Sequence, residues 1–212
     1  MSDILVDVQS SPVTPAAGQA VLYADTRTKK YKSRDDAGVE STLGGLGGVS
    51  VANQTGFAAD TYLTGSPIAI PTSLVRAGSV YRLVFDMVKT AAGTAAFQLN
   101  VRFGTNGTTA DTARLVFNFG AGTAAIDTGI FELFCHFRTV GAAGVLVGMC
   151  RCTHHLAATG PISTGASGTG IILVTSAGFD TTVANSIIGV SINGGAAFAG
   201  TNTVQEAQLD DV

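Results

Sequence analysis

Between Ser79 and Phe103 the chain alternates with period two, and no other feature restricts its fold as much. Tyr81, Leu83, Phe85 and Met87 take turns with Arg82, Val84, Asp86 and Val88. After a loop of Gly, Ala and Thr, Phe97, Leu99, Val101 and Phe103 take turns with Gln98, Asn100 and Arg102. Successive side chains of a strand point to opposite faces, so each apolar set lines one face. The pattern predicts an antiparallel pair of strands with one buried face. The same rule holds further on, for Leu115, Phe117 and Phe119, for Phe131, Leu133, Cys135 and Phe137, and for Val145, Val147 and Met149 in a partner strand running to about Leu156. Shorter strands are expected at Val49–Asn53, Tyr62–Thr64, Ile68–Ile70, Ile171–Thr175, Ile187–Ile192 and Thr203–Leu209, with Pro67 and Pro71 marking the third as edge-like. Loops of Gly, Thr and Ala separate them, Asn106-Gly107 is a tight-turn dipeptide, and no helical periodicity intervenes. The fold class read from this is all-β: an antiparallel jelly roll or β-sandwich over residues 49–212.

Residues 1–48 read differently. Ser2–Gln19, with Pro12 and Pro15 among Ser, Thr and Ala, is expected to be a short extended arm with little structure of its own. In Ala20–Leu43 short alternations around Val21, Tyr23 and Tyr31, and a turn at Asp36-Ala37-Gly38, predict a β-hairpin module of two or three strands. A hairpin of that size is marginal alone and must pack on something. Gly44-Gly45-Leu46-Gly47-Gly48 has the look of a phosphate-binding loop but lacks the Lys-Ser/Thr and the helix that such a loop needs. It reads as a hinge and domain boundary. Five of the twelve basic residues, Arg27, Lys29, Lys30, Lys32 and Arg34, fall in the hairpin module. With Asp25, Asp35, Asp36 and Glu40 beside them they form a solvated tip, an attachment patch for an acidic surface or, least favoured by one tyrosine among adjoining acids, a nucleic-acid face.

Charged residues make up 13% of the chain, about half of the ~25% usual for a soluble domain. A surface so poor in charge is suited to being covered, which points to an oligomer. The net charge of -3 gives no pull toward nucleic acid or anionic lipid. No apolar run reaches the ~18 residues of a membrane-spanning helix, so no membrane insertion is expected. The start, MSDILVDVQSS, has neither the basic nor the apolar region of a secretory signal. Three cysteines do not make a disulfide framework, so synthesis in a reducing cytoplasm is expected.

Candidate chemistry is sparse. Cys150, Cys152 and His154 share a strand face, but lie about 6.5 Å apart along it and lack the paired spacing of a zinc site. They read as core residues, and no metal or cofactor is expected. His136, His154 and His155 have no nucleophile elbow near them. Asp86 and Glu132 are expected to meet Arg82, Arg102, Arg114 or Arg138 in surface ion pairs rather than to act as a catalytic pair. No catalytic residue and no enzyme activity are expected. Asn53-Gln54-Thr55 and Asn106-Gly107-Thr108 match the glycosylation triplet only by the letter. Phe134 shares an outward face with Ile130 and Val140, an apolar stripe expected to meet a neighbouring subunit.

In VLYADTRTKKYKSRDDAGVESTLGG the chain resembles a module found near the start of bacteriophage virion proteins: Leu-Tyr, a polar turn, Lys-x-Tyr, Asp-x-x-Gly and a Leu-Gly-Gly linker. The phrases DTYLTGSPIAIP, YRLVFDMVKTAAGTAA, FGTNGTTADTARLVF, GASGTGIILVTSAGFD and ANSIIGVSINGG resemble the jelly-roll domain of phage head fibres, capsid decoration (cement) proteins and some tail proteins. The resemblance implies a homotrimeric virion structural protein, assembled in the host cytoplasm, with its N-terminal module on the major capsid protein or another virion component. It would place attachment at Leu22, Tyr23, Lys29, Lys30, Tyr31 and Lys32. Subunit contacts would fall at Ile130 and Phe134, with His154 meeting its copies on the trimer axis. Fully extended, the first 48 residues span at most roughly 160 Å, and there is no heptad run, so a long fibre is not expected. The alternative is a tail-associated module for a receptor or host surface glycan, using outward Asn100, Arg102 and Asn118.

Overall fold

A computed structural model describes residues 7–9, 14–17, 19–25, 31–35, 40–42, 46–48, 50, 52–70, 75–89, 95–121, 126–154, 169–194 and 200–210. The chain divides into two compact units, Met1–Leu46 and Gly47–Val212. Among the described residues there is no helix.

The first unit is a four-stranded sheet of β1 (Asp7–Gln9), β2 (Ala20–Asp25), β3 (Tyr31–Asp35) and β4 (Glu40–Thr42), in that order. β2, β3 and β4 form an antiparallel meander. β1 corrects the expectation of an unstructured arm: Asp7, Val8 and Gln9 pair in parallel with Tyr23, Ala24 and Asp25. Pro15 lies in the connection from β1 to β2, where a missing N–H costs no ladder bond, and Pro12 lies outside the described residues.

The second unit is all-β, two antiparallel sheets packed as a sandwich of the jelly-roll class. Its strands are β5 (Leu46–Gly48), β6 (Thr61–Tyr62), β7 (Ile68–Ile70), β8 (Val80–Lys89), β9 (Ala96–Gly104), β10 (Thr112–Ala121), β11 (Asp127–Thr139), β12 (Val145–His154), β13 (Thr169–Thr175), β14 (Ser186–Asn193) and β15 (Gly200–Asp210). One sheet runs β13-β12-β11-β8-β15-β5; the other runs β10-β9-β14-β6, with β7 also on β14. Leu46–Gly48, the end of the Gly-rich run, is thus an edge strand. Val49–Asn53 contributes no strand among its described residues.

The expected pairing of the two strands in Ser79–Phe103 is not what forms. β8 pairs with β11 and β15, while β9 pairs with β10 and β14, so the two lie in opposite sheets. Their apolar faces meet across the interior instead of lying side by side. Alternation tells which side chains turn inward, and both arrangements turn the same ones inward. The rings show the result. Phe131 of β11 stacks on Phe85 of β8 at 5.0 Å and on Phe97 of β9, from the facing sheet, at 4.7 Å. Phe119 of β10 meets Phe131 edge-on at 5.7 Å. At the other end Phe103 packs between Phe137 at 6.1 Å and Phe179 at 5.2 Å.

β12 lies close against the facing sheet at Gly148. A Cβ there would stand 2.6 Å from Leu115 Cδ1 and 2.9 Å from both Phe117 Cζ and Cys135 Sγ. Gly148→Val is therefore expected to overpack the interior and destabilise the protein by at least ~1–3 kcal/mol, read as a fall in the midpoint of chemical unfolding. Unchanged stability would mean that the two sheets are not in contact there.

Candidate functional site

On the outer face of the six-stranded sheet three large apolar residues, Ile130, Ile171 and Leu173, stay exposed. Register places Leu173, Met149, Phe134 and Arg82 in one row across β13, β12, β11 and β8, and Ile171, Arg151, Glu132 and Val84 in the next. Ile171 is 56% exposed, Leu173 73% and Ile130 46%. β13 is the end strand of this sheet, and its sequence TGIILVT has no charge and no proline. Arg151 Nε donates to Glu132 Oε2 at 2.6 Å, and the Arg82 guanidinium sits 5.0 Å above the Phe134 ring. The expected partners of Glu132 did not include Arg151. Cross-strand neighbours decide such pairs, and register alone reveals them. Between β8, β11 and β12 the face is indented by a cleft of about 320 Å³ lined by Asp86, Val88, Thr128, Ile130 and Thr153, with Met87, Gly129 and His154 behind.

The three residues expected at a subunit contact do not share this surface. Ile130 is exposed and Phe134 half-buried on the outer face, whereas His154 turns into the sandwich with Cys150 and Cys152. There His154 donates from Nδ1 to Asp127 Oδ2 at 2.8 Å, both side chains being shut off from solvent. Lys89, also buried, is the cross-strand neighbour of Asp127. In this orientation His154 is not available to meet copies of itself, because inward positions of β12 alternate with outward ones and it falls on the inward set. The three cysteines are free and buried, and burial pushes each thiol up; Cys152 reaches about 12, with Asp127 adding to the effect. Held as thiols, they pack rather than react. Among the described residues no cluster of His, Cys, Asp or Glu has the arrangement of a metal site.

Of the residues proposed for attachment, Tyr23 is buried in β2. Lys29 and Lys30 lie outside the described residues, as do the side chains of Leu22, Tyr31 and Lys32.

The polar contacts supposed for a glycan are corrected by the other sheet. Asn100 and Arg102 are buried, not outward; only Asn118 is exposed, where it accepts from Gln98 Nε2 at 2.7 Å. The loop before β6 brings Asp60 over the sheet. Arg102 Nη2 donates to Asp60 Oδ2 at 2.5 Å, Nε to Ser191 Oγ at 2.7 Å and Nη1 to the carbonyls of Thr109 and Asp111. Residue alternation marks Arg102 as off the apolar face; it does not reveal that a loop covers the second face.

Asp111 ties the turn between β9 and β10. Its carboxylate accepts from the Asn106 amide at 3.0 Å, from Asn106 Nδ2 at 2.9 Å and from the Gly107 amide at 2.7 Å. Burial alone would push this carboxyl up, but the hydrogen bonds from Asn106, Gly107 and Thr108 outweigh it and hold it below the usual carboxylate range. A carboxyl lowered on folding stabilises the protein above its unfolded pKa of about 3.9, and the contribution is lost as pH falls through the folded value. Asp111→Asn is expected to lose stability at pH 7, with the gap between variant and wild type closing below about pH 4. Parallel stability–pH curves would show that the carboxylate charge is not what holds the turn.

No family model matches this chain, and no curated protein matches it. Among solved structures it is similar to a chain in "Structure of infectious bursal disease virus Gx strain", at 10% identity and a TM-score of 0.22, over 84% of this chain and 47% of that one. The chain thus spans about half the length of that relative. A likeness at this TM-score carries no argument about what the protein does.

Proposed function

We propose that this chain is a bacteriophage virion structural protein, a trimeric head decoration or head-fibre protein whose N-terminal unit docks on the capsid while the sandwich sits outside. The role is structural, without catalysis or a cofactor, and its place is the assembled particle. The supporting observation is the outer face of β11, β12 and β13, where Ile130, Ile171 and Leu173 stay exposed on a chain with only 13% charged residues. A monomer gains nothing from such a face. The division at Leu46 and Gly47 fits a docking part and a displayed part, and the phrases quoted above resemble the head-fibre and cement family.

Labelling purified particles with antibody against the chain tests the assignment. Label over the head supports it, and label at the tail tip overturns it. Reversing Lys29, Lys30 and Lys32 to Glu in the full chain is expected to reduce incorporation into particles. Undiminished incorporation would remove the docking role from the hairpin's basic residues.

A further inference from the structure

The face that supports oligomer formation carries two unlike shapes. At its edge is a ridge, Ile171 and Leu173 on β13, the most exposed of its large apolar residues. Two strands away is the cleft of about 320 Å³, with Ile130 in its lining, Val88 beside it and Asp86, Thr128 and Thr153 around them. The residues behind the cleft, Met87, Gly129 and His154, are buried, so it opens on the outer side of the sheet. Ridge and cleft belong to one hydrogen-bonded sheet, β13 and β11 standing on either side of β12, about 10 Å apart. A chain cannot place its own ridge in its own cleft.

We propose that the Ile171–Leu173 ridge of one copy seats in the Ile130 cleft of the next, joining copies of this chain head to tail around a ring. The ring of three rests on the trimer proposed above. Three observations favour a second copy as the occupant. Between ridge and cleft lie Arg151 and Glu132, already paired with each other, and on β8 Arg82 and the cleft's own Asp86 add one more charge of each sign. Such a strip complements another like itself and offers nothing to a partner of strongly single sign. The ridge strand is an end strand without charge or proline, the kind of edge that proteins otherwise blunt. The cleft, at the lower end of the ~300–1,000 Å³ range for small-molecule sites, is apolar at Ile130 and Val88, where an aliphatic side chain fits. Unlike surfaces that meet head to tail close into a ring when the rotation allows, each copy filling one cleft and offering one ridge.

The test uses the full chain, in sedimentation velocity and native mass spectrometry. Wild type is expected as a trimer. Leu173→Lys and Ile130→Lys are each expected to be monomers with unchanged circular dichroism and a melting temperature lowered only by the lost association, since both side chains face solvent in the single copy. The milder Leu173→Ser should raise the dissociation constant roughly 10- to 100-fold without adding a charge to the strand. Mixing the two Lys variants gives the decisive reading. The intact ridge of Ile130→Lys can fill the intact cleft of Leu173→Lys, but neither chain has a second good interface, so a one-to-one pair and nothing larger is expected. A mixture that stays monomeric overturns the ridge-in-cleft contact. If Leu173→Lys and Leu173→Ser both remain trimers, the copies meet elsewhere, and the inference falls while the trimer stands. If wild type is a monomer, the inference and the trimer fall together, and labelling of the head still decides the virion role.

Discussion

Phe131→Ala is expected to cost about 3–5 kcal/mol, enough to consume much of the stability of a domain this size. Phe131 is fully buried and touches three rings, Phe85 beside it in its own sheet and Phe97 and Phe119 from the facing one. Removing it takes away the hub of the contact between the sheets, and the strands around it, hydrogen-bonded on both sides, cannot close the space. Denaturant unfolding with an unchanged slope would give the loss directly. A cost near 1 kcal/mol would mean that the sandwich collapses around the gap and that the aromatic cluster is looser than its geometry. Phe131→Leu, which keeps most of the volume, should recover a large part of the difference.

Asp127→Ala should cost about 1–3 kcal/mol, for a different reason. Asp127 accepts from His154 Nδ1 at 2.8 Å and from the Thr128 amide at 2.8 Å, at a position closed to water. Taking away the carboxylate removes the acceptor that His154 faces and leaves the desolvation of the imidazole uncompensated. Replacing both residues, as Asp127→Leu with His154→Phe, exchanges a polar pair for apolar bulk and should restore much of the loss, because a buried pair often contributes little net over a hydrophobic one. If the double variant is as unstable as the single one, His154 and Asp127 act through other neighbours and not through each other.

The sequence was informative about faces and poor about neighbours. Each inward residue expected in β8, from Tyr81 to Met87, and in β11, from Phe131 to Phe137, is buried. Alternation reports the direction of a side chain, which is a local property. Whether β8 lies beside β9 or opposite it depends on which edges find each other over long separations, and no local pattern carries that. The same limit hid the Arg151–Glu132 pair and the cover that Asp60 places over Arg102. β1 was missed because its three residues sit just before a Pro-containing segment, and composition outweighed so short a strand. On the outer face of the six-stranded sheet, Ile130 and Phe134 were legible as outward apolar residues. Ile171 and Leu173 were passed over because TGIILVT is apolar at successive positions and gives no sign of which side is wet.

The place of β8 in the sheet also governs when the protein can fold. Its two flanks are completed by β11 and by β15, with Leu83 opposite Leu133 on one side and Ala207 on the other. During synthesis β8 leaves the ribosome long before β15 does, so one of its edges stays open until the seven strands that follow it have all been made. Pairing across such separations belongs to the slow end of single-domain folding, on the order of milliseconds to seconds. Through that interval the nascent chain presents an open apolar strand, and crowded expression is where aggregation should first appear.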